Sequence, residues 1–175
     1  MKTKNLVLMA LLVAVGAALY LVIPGINGGM KPDFMLTMMF IGILLFPNSR
    51  DVFLLAVTTG ILSGLFSTFP GGFVPNIIDK FITAFVVLII IKLLKSHATK
   101  IIPAAIVVGI GTIISGSVFL STAILLVGAK IPFAFLFSTV VLPAVAINIV
   151  AFVIIFPIIM TLVKRSKFDT SLSHA

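Results

Sequence analysis

Two acidic and two basic side chains lie beside long apolar runs, where charged groups are uncommon. Asp79 and Lys80 open one such run, and Lys31 and Asp33 lie in an earlier turn-rich segment. A charge at the centre of a bilayer costs about 2.5–3.5 kcal/mol, so residues of this kind tend to be paired or functional. An aspartate facing an ammonium group and a lysine facing a carboxylate would together suit a zwitterionic solute. Two structural explanations remain open: Asp79 can complement a helix dipole, and Lys31 can pair with Asp33.

Amides and aromatic rings extend this set of candidates. An amide inside an apolar run, such as Asn148, either bonds to another helix or contacts a ligand. Phenylalanine rings can stack on an aromatic solute, although a chain with 16 of them uses most for packing. We therefore predict a solute site drawn from Lys31, Asp33, Phe69, Phe73, Asn76, Asp79, Lys80, Phe119 and Asn148, with the choice within each type left open.

The composition places these residues in a membrane protein. Hydrophobic residues make up 61% of the 175 positions and charged residues only 9%, whereas soluble domains carry roughly 25% charged residues. Within lipid, backbone groups must be paired internally, which leaves helices or closed barrels. Barrel strands alternate over about ten residues, but the apolar runs here are longer and continuous. We predict an all-α integral membrane protein that resides in the lipid bilayer.

Turn-rich and polar segments divide the chain into six apolar runs. A spanning helix needs roughly 20 residues, so we predict one transmembrane domain over residues 1–175 with six helices. The first run is longer than the apolar part of a signal peptide, so we interpret it as a retained helix. The predicted spans are 6–23, 34–46, 52–69, 77–94, 101–127 and 133–163.

The loop charges predict the orientation. With six spans, nine Lys and Arg residues fall on the side of the two termini and three on the other side. Cytoplasmic loops carry an excess of Lys and Arg, so both termini are expected inside. The formal charge of +8 is scattered between apolar runs, which argues against nucleic acid. The outward loops, rich in Gly and Pro, are either the rim of a site or tight helix connectors.

Several classes of chemistry are excluded or disfavoured. The sequence holds no phosphate-binding loop of the type G-x-x-x-x-G-K-[ST], so ATP hydrolysis by that route is excluded. Cysteine is absent, which excludes disulfides and thiolate metal sites. His97 and His174 have no evident metal-ligand or triad partners. We therefore expect no enzyme activity, no cofactor and no metal.

Small residues recur on the first and third helices. Ala10, Ala14 and Ala18 are spaced by four, which advances about 40° per step around a helix and forms one stripe. Such stripes allow another helix to approach closely. Taken alone, the stripe favours packing inside the protein, as does the pair Gly60 and Gly64.

Four segments carry a family resemblance over most of the chain. They are residues 28–33 (GGMKPD) with 38–40 (MMF), 69–70 (FP) with 75–80 (PNIIDK), 115–120 (SGSVFL) and 141–144 (VLPA). Together they resemble the bacterial tryptophan transporter family TrpP, whose members are similar to the substrate-binding S components of energy-coupling factor (ECF) transporters.

The resemblance implies a function and its partners. It implies that L-tryptophan is captured in the outward half of a protein of the bacterial plasma membrane. An ECF module, comprising a coupling subunit and two ATPases, would then drive release inward. In S components a stripe like Ala10, Ala14 and Ala18 contacts the coupling subunit. Two alternatives remain: a secondary transporter driven by an ion gradient, with Asp79 as the coupling carboxylate, and a scaffold that transports nothing.

Overall fold

The structure is a computed structural model that describes residues 3–23, 33–94, 100–130, 132–166 and residue 170. The described elements are helices joined by turns, as the composition predicts. They are α1 (Thr3–Val22), α2 (Phe34–Leu45), α3 (Ser49–Leu65), α4 (Phe73–Leu94), α5 (Ile101–Leu125), α6 (Phe133–Leu136), a π-helical turn (Phe137–Val141) and α7 (Leu142–Arg165). The last three run on as one helix, Phe133–Arg165.

Three helices are long and apolar enough to cross a membrane by length and composition: α1, α5 and the continuous helix Phe133–Arg165. Helix α2 is apolar but has only 12 residues. At 1.5 Å per residue it covers about 18 Å, less than the roughly 30 Å of a hydrocarbon core. These helices support a helical membrane protein, while six spans with both termini inside stay predictions.

Helix α2 lies at the centre of the bundle. All of its residues are buried, and it contacts α1, α3, α4, α5 and α7. A helix that is apolar on every side is buried in a protein core or in lipid, and here the other helices surround it. Its apolar side chains join one hydrophobic cluster with buried residues from those five helices. The centre of the bundle therefore fixes the position of Asp33, the residue that precedes α2.

The glycine pair of α3 packs inside the protein, as predicted. A Cβ atom at Gly60 would lie 3.1 Å from the Cα atom of Ile77, and one at Gly64 would lie 3.0 Å from the carbonyl oxygen of Phe73. These distances leave no room for a larger side chain. The two glycines therefore let α3 and α4 approach closely.

The bounds of α3 and α4 differ from the predicted ones. Helix α3 begins at Ser49, because the side chain of Asn48 accepts hydrogen bonds from the next backbone amides and so caps the helix. It ends at Leu65, which leaves Phe69 in the connecting turn. Helix α4 begins at Phe73, four residues before the predicted start. Pro75 is tolerated there, since the first helical turn does not need its N–H group.

A π-helical turn interrupts the last helix at Phe137–Val141. Pro143 follows closely and lacks an N–H group, so it cannot donate to the carbonyl four residues earlier. The backbone N–H of Leu142, one residue earlier, donates to the carbonyl of Phe137, five residues back, which is the hydrogen bond of a π-helix. Such turns occur often at functional sites, and this one forms part of the cavity wall described below.

Candidate solute-binding site

A cavity of about 290 Å³ lies where α2 and α4 begin. Its size is near the lower end of ligand pockets, which span about 300–1,000 Å³. Its polar lining residues are Tyr20, Asp33, Ser67, Thr68, Asp79, Lys80, Thr112, Ser115 and Asn148. Its other lining residues are Leu36, Phe69, Gly116, Phe119, Leu120, Leu136, Val140, Val141 and Ala144. An apolar pocket with a few convergent polar groups is the usual form of a small-molecule site.

Three charged side chains meet at this cavity and are called the charged triad below. The Nζ atom of Lys80 lies 2.8 Å from Oδ2 of Asp33 and 2.8 Å from Oδ2 of Asp79. Both contacts are charge-assisted hydrogen bonds, which are stronger than those between neutral groups. The triad joins the start of α2 to α4, and it stabilises two carboxylates and an ammonium group away from water.

Asp79 is the most enclosed member of the triad. Its side chain is 1% exposed. Besides Lys80, it accepts hydrogen bonds from the hydroxyl of Thr83 on α4 at 3.0 Å and from that of Ser115 on α5 at 2.9 Å. Both carboxylate oxygens are therefore held, which fixes the carboxylate in one orientation.

Asp33 is held at the N-terminus of α2. Its Oδ1 atom accepts a hydrogen bond from the backbone amide of Leu36 at 2.9 Å, which is the contact of an N-cap residue. Its own backbone amide donates to Oδ1 of Asn148 at 2.9 Å. The Asp33 carboxylate is thus positioned by α2, α4 and α7 together.

Asn148 links three helices. In addition to accepting from Asp33, it donates from Nδ2 to the hydroxyl of Thr112 on α5 at 3.4 Å. Thr112 in turn donates to the carbonyl of Val108 at 2.8 Å. The amide therefore makes interhelical hydrogen bonds, which is the first role considered from the sequence, and it also lines the cavity, while contact with a ligand stays a prediction.

Two phenylalanines form an aromatic part of the lining. The rings of Phe69 and Phe119 lie 5.4 Å apart between centroids, at 82° to each other. This edge-to-face arrangement is a preferred geometry for aromatic pairs. One ring comes from the turn before α4 and the other from α5, and the pair provides apolar surface opposite polar groups.

The structure brings six of the nine predicted site residues to the cavity: Asp33, Phe69, Asp79, Lys80, Phe119 and Asn148. Asn76 and Phe73 do not line it. Asn76 is buried in the first turn of α4, where its Nδ2 atom donates to the carbonyl of Gly72 at 2.7 Å. Phe73 is 42% exposed and packs against Gly64. Lys31 lies outside the described residues.

Five polar lining residues were not predicted from the sequence: Tyr20, Ser67, Thr68, Thr112 and Ser115. Thr112 and Ser115 are three positions apart on α5, a spacing that places both on one face of a helix. Tyr20 is the one tyrosine of the whole sequence, and its side chain is hydrogen-bonded to that of Thr68. Tyr20 could have been singled out because it carries a hydroxyl, whereas the other aromatic rings among Phe, Trp and Tyr are all phenylalanines.

The alanine stripe of α1 lies on the outside of the described bundle. Ala10, Ala14 and Ala18 are all exposed. The buried face of the same helix is formed by Leu8, Met9, Leu12, Val13, Gly16 and Ala17. The stripe is therefore not covered by the described helices, unlike the glycine pair of α3.

Comparison with known proteins identifies the family. The family model described as "Tryptophan transporter TrpP" matches residues 2–164. The chain belongs to this family. The family and its curated relatives are described as transport proteins and not as enzymes. Among the described residues, no group of three His, Cys, Asp or Glu side chains is placed to hold a metal ion.

Curated relatives in three bacteria support the TrpP assignment. A "Probable tryptophan transport protein" of Bacillus subtilis is 51% identical over 168 residues, covering 96% of this chain and 97% of that protein. Proteins of the same description in Clostridium acetobutylicum and Clostridium perfringens are 44% and 36% identical, covering 89% and 94% of this chain and 91% and 96% of their own lengths. No solved structure matches the chain significantly.

Proposed function

We propose that this protein binds tryptophan in the cavity and imports it across a bacterial plasma membrane as the S component of an ECF-type importer. The observation that carries the proposal is the cavity itself, where a charged triad faces an aromatic and aliphatic lining. TrpP membership and the relatives named as tryptophan transport proteins give the solute.

The chemistry of the cavity matches the chemistry of tryptophan. The Asp33 carboxylate of the triad can pair with the ammonium group of a zwitterion, and the rings of Phe69 and Phe119 offer apolar surface to an indole ring. The hydroxyl of Thr68 at the lining can act as an acceptor for the indole N–H. For the ligand carboxylate the sequence offered Lys31 or Lys80, of which Lys80 lies among the described residues and lines the cavity.

The exposed alanine stripe supports the role of an S component. A coupling subunit would need a face of this protein where helices can approach closely, and small residues provide such a face. Ala10, Ala14 and Ala18 are exposed together on α1. In the proposed mechanism, six spans hold the cavity open outward, and ATPases acting through the coupling subunit reorient the bundle to release tryptophan inside.

Calorimetry on the purified full-length protein tests the first half of the proposal. Tryptophan is titrated into the detergent-solubilised protein, with phenylalanine and riboflavin as controls. The expected result is tight binding of tryptophan alone. If the folded protein binds no tryptophan, a solute-capture function is contradicted, and the alternative of a scaffold that transports nothing is favoured.

Uptake in cells tests the second half. Tryptophan uptake is measured in a host that expresses this protein, with and without the host's ECF ATPases. Loss of uptake on deletion of the ATPases is expected for an S component. Uptake that persists would contradict it and favour a transporter driven by an ion gradient.

A further inference from the structure

We propose that the cavity selects its ligand by the ammonium group, with the Asp33 carboxylate as the acceptor, and that the ligand carboxylate contributes much less. The site would then take aromatic primary amines as well as aromatic amino acids. The inference rests on the proposed function, because it assumes that the cavity is where tryptophan binds.

The charged triad has a net negative charge. Two carboxylates and one ammonium group leave one negative charge. Lys80 and Asp79 are 2% and 1% exposed, so the positive charge is enclosed beside a buried negative one. The remaining negative charge is that of Asp33, which is partly exposed, and a ligand cation at the triad would neutralise it.

The members of the triad differ in accessibility. The Asp33 side chain is 33% exposed, against 2% for Lys80, and it lines the cavity. An ionised carboxylate can accept about four hydrogen bonds, and Asp33 uses its two oxygens for the Leu36 amide and Lys80. Capacity remains for a further donor. Asp33 is therefore the most accessible charged group of the triad.

The N-terminus of α2 also affects the electrostatic potential at Asp33. The N-terminus of α2 carries the equivalent of about half a positive charge, and Asp33 caps it. This partial charge reduces the negative potential at Asp33 but does not cancel a full charge. The amide of Asn148 fixes the Asp33 backbone, so the carboxylate is preorganised to receive a cation.

The ligand carboxylate meets a less favourable environment. Within the described lining, Lys80 is the one basic side chain, and both of its ion-pair partners are carboxylates at 2.8 Å. A ligand carboxylate that approached Lys80 would lie beside two like charges. The other side-chain donors in the described lining are neutral hydroxyls and the Asn148 amide, which form weaker hydrogen bonds than charged groups do.

Three indole compounds separate the two charged groups of tryptophan. Tryptamine lacks the carboxylate, and indole-3-propionate lacks the ammonium group. A hydrogen bond to a charged group is stronger than one between neutral groups, so we expect indole-3-propionate to bind at least about tenfold more weakly than tryptamine. Tryptamine is expected within about tenfold of tryptophan. Each is titrated calorimetrically into the full-length wild-type protein in lipid nanodiscs.

A pair of matched variants assigns the effect to Asp33. Asp33→Asn keeps an N-cap acceptor but removes the charge, so both amines should bind at least about tenfold more weakly. Indole-3-propionate should be unaffected or bind more tightly. The control is Asp51→Asn, which changes a buried carboxylate at the start of α3 away from the cavity and should leave all three affinities unchanged.

The outcomes distinguish this inference from the proposed function. Binding of tryptophan with indole-3-propionate at least as tight as tryptamine would overturn the inference alone. Binding of tryptamine without tryptophan would support the inference and contradict the proposed substrate. If none of the three indoles binds, both are overturned. The wild-type comparison stands even if Asp33→Asn fails to fold.

Discussion

The starts of α2 and α3 both hold a carboxylate, but in contrasting surroundings. At α3, Asp51 is 3% exposed, and its contacts are local: its side chain accepts from Asn48, whose own oxygen accepts from the Asp51 backbone amide. At α2, Asp33 contacts Lys80 and Asn148, which are 47 and 115 residues away in sequence. Asp51 therefore makes its hydrogen bonds at the start of one helix, whereas Asp33 connects α2, α4 and α7.

The difference shows what separates a structural carboxylate from a candidate binding group. Burial alone does not do so, because Asp51 is more buried than Asp33. The distinguishing features are partners from separate helices and a cavity beside them. The predictions below test this distinction through stability, affinity and transport.

The largest expected effect is on folding, from Lys80→Met. This change leaves two carboxylates without their shared cation, and breaking a buried ion pair costs about 3–5 kcal/mol. The free energy of unfolding should fall by that amount, seen as a lower midpoint when helical circular dichroism is followed on heating. Lys92→Met is the control, because Lys92 is an exposed lysine of the same helix. Equal midpoints for the two variants would contradict a structural role for the triad.

The next largest effect is on affinity, from Asp79→Asn. The triad becomes neutral, and Asp33 alone then has to balance Lys80, so less negative charge faces a ligand ammonium group. We expect tryptophan to bind at least about tenfold more weakly in calorimetry. Asp51→Asn is again the control, because Asp51 is a buried carboxylate that does not line the cavity. Wild-type affinity in Asp79→Asn would remove Asp79 from the site.

A smaller effect is expected at the cavity wall, from Gly116→Ala. The added Cβ atom would lie 2.6 Å and 2.7 Å from the two methyl groups of Val141 in the π-helical turn. Valine is stiff at χ1, so the wall must shift, and overpacking of this kind costs about 1–3 kcal/mol. A loss of tryptophan affinity of several-fold is expected.

Gly109→Ala provides the comparison on the same helix. Its nearest contact would be the flexible end of Ile149 at 3.0 Å, and neither residue lines the cavity. Affinity should therefore stay close to that of the wild type. Equal losses in both glycine variants would show that α5 packing, and not the cavity wall, controls binding.

The sequence predicted the helical class and six of the residues that line the cavity, for a physical reason. Long apolar runs leave few alternatives to helices in lipid, and charges beside them are rare enough to attract notice. Asp33, Asp79 and Lys80 were therefore all identified. Their mutual contact was not, because a pairing across 47 residues depends on how α2 and α4 pack.

Details of position required the structure for similar reasons. Phe69 lines the cavity and Phe73 does not, because α4 begins at Phe73 and not four residues later. The twelve-residue α2 is buried on all sides, which an apolar run cannot reveal by itself. The environments of the two small-residue motifs also differ, although their spacing is the same.

The last prediction uses this contrast on the outer surface, where the expected effect on affinity is the smallest. Ala14 is exposed on α1, so Ala14→Leu should change tryptophan affinity by no more than about twofold, as is usual for surface substitutions. Uptake in cells should nevertheless be lost, because a bulky side chain prevents close approach of a coupling subunit.

Val15→Leu is the control for added bulk. Val15 is also exposed on α1 but lies about 100° from Ala14 and about 60° from Ala18 around the helix. It should transport tryptophan at the wild-type rate. If Ala14→Leu transports equally well at the same protein level, the stripe is not the coupling face. If both variants bind tryptophan but neither transports it, the coupling surface extends around α1 beyond the three alanines.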